Sequence, residues 1–311
     1  MHIPVLQKEV LKYLDPKPNQ NFIDTTIGKG GHALAILERI SPKGRILGID
    51  WSPELIQDLK IKIQKAELKS NLTLVCDNFA NLKEIVKRER FLAVSGILFD
   101  LGMSSWHLTE AGRGFSFLKN EPLDMRYSPQ NPLTAEKIVN YWSKSEMEKI
   151  LREYGEERFA KKIAEKIIEV RKSKPIKTTS QLVEIIKKAV PSRYHTRFGG
   201  YPKIHFATRT FQALRITVND ELNNLEKAFP QALEILKPGG RLAVISFHSL
   251  EDRIVKNFYR NSSPEKLTIL TKKPVRPQKE EIKINPRSRS AKLRACQKSK
   301  RTSFSSSPSF L

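Results

Sequence analysis

The chain has 311 residues, with 56 lysines and arginines against 33 aspartates and glutamates, a formal net charge of +23. That excess predicts a polyanionic partner, nucleic acid ahead of an anionic membrane surface. No apolar run reaches spanning length, Met1–Glu9 lacks a signal-peptide layout, and Cys76 and Cys296 are the only cysteines. A membrane-spanning protein, a disulfide framework and a CxxC metal site are thereby disfavoured, and the expected compartment is the cytoplasm.

The first informative segment is Phe22-Ile-Asp24-Thr-Thr-Ile-Gly28-Lys-Gly30-Gly31-His32. An apolar run ends on a carboxylate, a glycine-rich turn follows, and Ala33–Leu37 continues as a helical pattern. The next apolar run ends at Asp50. This strand–loop–helix–strand unit suits a nucleoside-bearing cofactor, with Asp50 accepting from ribose hydroxyls. The loop alone fits two cofactors. Gly28-x-Gly30-x-x-Ala33 matches a dinucleotide fingerprint, and Asp24-x-x-x-Gly28-x-Gly30 matches a loop for S-adenosylmethionine (SAM). Asp24 favours the second, because an acid repels a pyrophosphate but attracts an ammonium and a sulfonium.

Further apolar runs end at Asp77 and Asp100, with a helical stretch over Pro53–Ser70. The alternation predicts a parallel, doubly wound α/β sheet with Asp24, Asp50, Asp77 and Asp100 at its carboxyl edge. Three helical stretches follow, Thr134–Tyr154, Glu156–Lys172 and Thr178–Val190. One amphipathic helix is expected from Thr208 to about Leu236, then the turn Lys237-Pro-Gly-Gly240 and a fifth strand at Arg241–Ser246. The expected division is a Rossmann-like SAM-dependent methyltransferase sheet domain (1–104 with 208–284), an inserted all-helical domain (105–207) and a basic, partly disordered arm (285–311). Twelve basic residues stand against Glu280 and Glu281 between Thr271 and Arg301, which reads as a phosphate-contacting segment. Thr302–Leu311 is serine-rich and reads as disordered. Tyr194, Arg197, Phe198, Tyr201 and Lys203 form an aromatic and basic stretch suited to RNA.

The methyl acceptor in such a fold lies over the end of the fourth strand, so Asp100-Leu-Gly-Met-Ser-Ser105 is the expected reaction centre. Methylating an exocyclic amine requires turning its nitrogen lone pair out of conjugation and stabilising the developing positive charge. Asp100, assisted by Ser104, has that chemistry, and no metal is needed. Carbon-5 methylation would require a cysteine nucleophile, and neither Cys76 nor Cys296 is well placed. His32 and His107 adjoin the cofactor loops, His248 follows strand five and could reach the acceptor base, and Phe79 would pack on the adenine. Rival readings are a SAM enzyme acting on DNA cytosine or protein, and a non-catalytic RNA-binding protein.

Several long segments, in order, resemble the ribosomal RNA small subunit methyltransferase H (MraW) family. They are Asp24–His32, Asp100–Ser105, Arg113-Gly-Phe-Ser-Phe117, Leu123-Asp-Met-Arg126, Tyr154-Gly-Glu-Glu-Arg158, Ala207–Arg215 and Ser246–Arg253, closing with Asn285-Pro-Arg-Ser-Arg-Ser-Ala-Lys-Leu-Arg294. The resemblance implies methylation of a cytidine N4 in the decoding region of 16S rRNA, with 16S rRNA or the small ribosomal subunit as partner. It implies cofactor contacts at Gly30, Gly31, His32, Asp50, Phe79, Asp100 and His107, beside Asp24 and Gly28. The expected substrate contacts are Arg209, Arg215, His248, Arg287, Arg289, Lys292 and Arg294. Trp106-His107 replaces the family's usual Pro-Gln, and Phe206 replaces its usual proline. A homodimer is left open.

Overall fold

The computed structural model describes residues 3–65, 71–192, 205–262 and 264–300. Tyr194, His195, Arg197, Phe198, Tyr201, Lys203 and Thr302–Leu311 lie outside them. The chain forms two compact units, Met1–Gly102 with Leu222–Leu311, and Met103–Glu221.

The first unit is built on β1 (Asn21–Asp24), β2 (Ile46–Asp50), β3 (Leu72–Cys76), β4 (Val94–Asp100), β5 (Leu236–Ser246), β6 (Leu267–Ile269) and β7 (Lys292–Lys298). They order as β3-β2-β1-β4-β5-β7-β6. The first five run parallel, and β7 pairs antiparallel with both β5 and β6. Helix α1 (Gln7–Leu14) precedes β1, and α2 (Gly31–Ile40), α3 (Pro53–Lys65) and α4 (Leu82–Arg88) connect β1–β4. Successive strand side chains point to opposite faces, so Ile23, Ile97, Phe99 and Val244 enter one core while Phe22, Leu98, Ala243 and Ile245 enter the other. Burial on both faces is what continuous apolar runs encode. The parallel strands therefore end together at Asp24, Asp50, Cys76 and Asp100.

The second unit contains α5 (Ser105–Thr109), α6 (Ala135–Tyr141), α7 (Lys144–Glu153), α8 (Ala160–Arg171), α9 (Thr179–Ala189) and α10 (Thr208–Asn219). Capping boxes start α7 at Ser143 and α9 at Thr178. The apolar stripes Ile138, Val139, Ile150, Leu151, Ile163 and Ile167 form its core.

Four expectations are corrected. The helix foreseen from Thr208 to Leu236 is two helices, α10 and α11 (Glu221–Ile235), because Asp220 takes a left-handed φ of 51° and caps α10. The buried face of α10 (Phe211, Leu214, Val218) belongs to the helical core, so the insert extends past 207. Residues 285–298 are no free arm. After α12 (Ser249–Asn261) and α13 (Lys279–Ile284), a 3-10 turn at Pro286–Ser290 leads into β7, which lies inside the sheet. The fifth strand also begins earlier than Arg241: Leu236 already pairs with Val94, and a register shift accommodates Lys237–Gly240 before Gly96 meets Arg241.

Candidate active site

Asp24 closes β1 and is 2% exposed. Its Oδ1 accepts the Thr26 amide at 3.2 Å. Burial pushes its carboxyl up to about 7, although His32 and the Thr26 amide oppose the shift. Thr25 and Thr26, to which the sequence motif assigned no role of their own, tie this strand end to β4. The Thr25 hydroxyl donates to the Leu98 carbonyl at 2.9 Å, and the Asp100 amide donates to Thr26 Oγ1 at 2.8 Å.

Asp50 anchors the glycine turn. Its Oδ2 accepts the Gly28 amide and its Oδ1 the Ser52 amide, both at 2.9 Å. Burial raises its carboxyl to about 6 despite these donors. Each oxygen keeps a second lone pair, so the carboxylate that holds the loop can still accept a hydroxyl. The glycines divide their work. Gly28 takes φ +50°, and a Cβ there would find only the Thr26 carbonyl, 3.9 Å away. That is the open side a ligand can approach. Gly31 is required by packing, since a Cβ would stand 2.5 Å from Pro4 Cγ, and at Gly30 (φ +82°) it would meet Leu59 Cδ1 at 2.9 Å.

His32, in the first turn of α2, is 6% exposed, and its Nε2 stands 3.6 Å from Asp100 Oδ2. That is an ion-pair separation, too long for a hydrogen bond. Burial opposes the charged ring, but Asp100 and Asp24, with a smaller contribution from Glu281, outweigh it and raise the pKa. Both His32 ring nitrogens and Asp100 Oδ1 are buried and lack a hydrogen-bond partner. Buried polar atoms without partners are uncommon and ask for a ligand. Two carboxylates with a glycine turn open on one side fit a cationic sulfonium and ammonium, and would repel a pyrophosphate. The donor set of Asp24, Gly28, His32, Asp50 and Asp100 therefore fits SAM. Phe79, half-buried, packs edge-on against Phe99 at 5.6 Å between ring centroids, beside the ends of β3 and β4.

Ser104 and His107 lie in the helical unit. Ser104 caps α5, and its Oγ is 3.1 Å from His107 Nδ1. His107 is 5% exposed among Trp106, Phe115 and Tyr127, with ring centroids 4.9–5.3 Å away. Burial, then Arg113 and Arg215, lower its pKa to about 3, so the ring is neutral. The Trp106-His107 replacement is thus absorbed by an aromatic cluster.

Several residues assigned to the substrate are engaged elsewhere. Arg215 forms a two-pronged pair with Glu221, Nε–Oε1 2.9 Å and Nη2–Oε2 3.0 Å. Arg209 donates to the Glu156 carbonyl at 2.7 Å. His248 is the N-cap of α12, in a capping box with Glu251. Arg294, 8% exposed, and Lys292 both meet Asp252, at 2.7 Å and 3.2 Å, which holds that carboxyl below its usual range against the effect of burial. Alternation along β7 is the reason: Lys292 and Arg294 face α12, while Leu293 and Ala295 enter the opposite core. Arg287 and Arg289, on the 3-10 turn, remain exposed. Cys296 is buried in β7, where burial lifts its thiol to about 12, and burial, Asp50 and Asp77 raise that of Cys76. Neither thiol is primed as a nucleophile.

The family model described as the MraW methylase family matches residues 1–299. A ribosomal RNA small subunit methyltransferase H from Heliobacterium mobile is 46% identical over 314 residues, covering 96% of this chain and 98% of the relative. The protein of the same name from Halothermothrix orenii is 48% identical over 313 residues, covering 96% and 98%. That from Thermosipho melanesiensis is 47% identical over 300 residues, covering 96% and 97%. With a match of this length and three relatives at this identity, the chain belongs to the MraW methylase family.

Proposed function

We propose that this methyltransferase moves a methyl group from SAM to the exocyclic N4 of a cytidine in the decoding region of 16S rRNA. The supporting observation is Asp100 Oδ1, a buried acceptor without a partner at the end of β4, its other oxygen turned towards His32. When bound, SAM supplies an electrophilic methyl on a sulfonium. The residues of the chain do the rest. Asp100 Oδ1 accepts an N4 hydrogen, which turns the amine lone pair towards the methyl and stabilises the positive charge as the bond forms. The same carboxylate receives the proton that the methylated amine must lose. Asp24 and Asp50 hold the charged and hydroxyl-bearing parts of the cofactor, and Phe79 covers its base. Ser104, as cap of α5, shapes the segment that follows Asp100.

Arg287 and Arg289 contact rRNA phosphates, and the reaction takes place in the cytoplasm on the small subunit or its rRNA. No helix among the described residues is long and apolar enough to cross a membrane. The test is methyl transfer from labelled SAM to small subunits lacking the modification, followed by nucleoside analysis. Label in N4-methylcytidine is expected. Label at carbon 5, or in protein, would overturn the assignment.

A further inference from the structure

We propose that Glu281 is a positioning residue for the cofactor loop: its carboxylate clamps the segment Ile3–Leu6 against Gly31 and so keeps the loop in its receiving conformation. The proposal rests on the reading that Gly28–His32 hold SAM.

The two ends of the chain meet beside that loop. The Leu6 amide donates to Glu281 Oε1 at 2.8 Å, across 275 residues of sequence. Leu6 is the N-cap of α1, fully buried, left-handed at φ 53°, and without a capping side chain of its own. A leucine in that region is strained, and a buried N-cap amide needs an acceptor. Glu281 supplies it from α13 and places a negative charge at the positive end of α1. Asn285, four residues later, donates its Nδ2 to the Ile3 carbonyl at 3.2 Å. Both ends of the four-residue strap are therefore gripped from α13.

The strap in turn touches the loop. Pro4 packs so closely on Gly31 that a Cβ there would lie 2.5 Å from Pro4 Cγ. Just beyond the strap, Gln7 Nε2 donates to the Gly31 carbonyl at 3.2 Å. Glu281 also favours the charged form of His32, the next residue, after Asp100 and Asp24. One carboxylate thus fixes the backbone over Gly31 and adds to the field at His32.

Four variants test this: Glu281→Ala, Glu281→Gln, Pro4→Ala and Asn285→Ala. The readouts are the SAM dissociation constant by calorimetry, kcat at saturating SAM, and amide exchange at Gly28–Ala33 in the cofactor-free protein. Glu281→Ala is expected to raise the dissociation constant about tenfold, equivalent to ~1.4 kcal/mol. It is also expected to speed exchange at Gly30–His32 and to keep kcat within about twofold. Glu281→Gln, which retains an acceptor for Leu6, should recover most of the affinity. A lowered Tm with unchanged affinity and exchange would overturn the proposal, since Glu281 would then merely fasten the termini. If Glu281→Ala does not fold, Pro4→Ala and Asn285→Ala decide, and unchanged affinity and exchange in both would sink it. Failure of the wild-type protein to bind SAM would overturn the reading of the site, while exchange in the cofactor-free variants would still judge Glu281.

Discussion

Arg294 and the pair Arg287 and Arg289 come from one basic segment, yet the fold gives them separable roles. Arg294→Met removes the closer cation from Asp252, leaving Lys292 at 3.2 Å as its only partner in that pair of contacts. Breaking a buried ion pair from one side costs about 3–5 kcal/mol. Here the side chains retain 10% and 15% exposure and Lys292 remains, so the expected loss is about 2–3 kcal/mol. For a unit of this size that lowers Tm by roughly 5–10 °C. The assay pairs thermal unfolding at pH 7 with the salt dependence of binding to a decoding-region fragment of 16S rRNA. Arg294→Met should lower Tm and leave the slope of log K against log salt unchanged. The double variant Arg287→Ala/Arg289→Ala should hold Tm within about 2 °C and flatten the slope by roughly 1.5, at 0.7–0.9 per phosphate contact. A flattened slope with an unchanged Tm for Arg294→Met would refute the reasoning. Cutting the chain after Ile284 cannot make the distinction, because it removes β7 with the buried Leu293, Ala295 and Cys296.

Asp100→Ala should bring methyl transfer below detection while the protein stays folded, and Asp100→Asn, which keeps an acceptor without the charge, should lower kcat about 10²–10³-fold. Activity within tenfold of wild type in Asp100→Asn would remove the carboxylate from its role. The folded pKa of Asp24 lies near 7, above its ordinary 3.8, and that of His32 is raised from 6.5. An acid so raised favours folding below pH 4, and that contribution is lost as pH climbs towards 7; the His32 contribution is full below pH 6.5 and is lost above it. Cofactor-free protein should therefore lose stability from pH 5 to 8, and Asp24→Asn should flatten the fall by about 2–3 kcal/mol; an unchanged Tm-against-pH curve would count against the buried acid. SAM affinity should rise over the same range as Asp24 ionises, which calorimetry at pH 6 and 8 would check. Gly31→Ala should be worse than Gly28→Ala for folding, because its Cβ meets Pro4 Cγ at 2.5 Å whereas that of Gly28 meets only strain, about 1 kcal/mol. Equal Tm values would contradict that packing.

The sequence by itself determined the parallel sheet, the acids at its edge and the glycine turn, because each is a local signal. An apolar run buried on both faces reads as a strand wherever it occurs, and the residue closing it must sit at the sheet edge. The helical insert was likewise legible from its stripes and the capping boxes at Ser143 and Thr178. The basic segment was misread because its charge masked a period of two: Lys292 and Arg294 alternate with Leu293 and Ala295. Which face met a carboxylate depended on Asp252, 42 residues away. Asp220 was similarly silent, since a left-handed residue that breaks a helix is chosen by what each half packs against. Tertiary structure alone decided that Thr26 ties Asp24 to Asp100, that His32 meets Asp100 within the field of Asp24, and that Glu281 caps a helix 275 residues before it. Pairings across such distances follow from where the folded elements meet, and no local pattern in the chain encodes them.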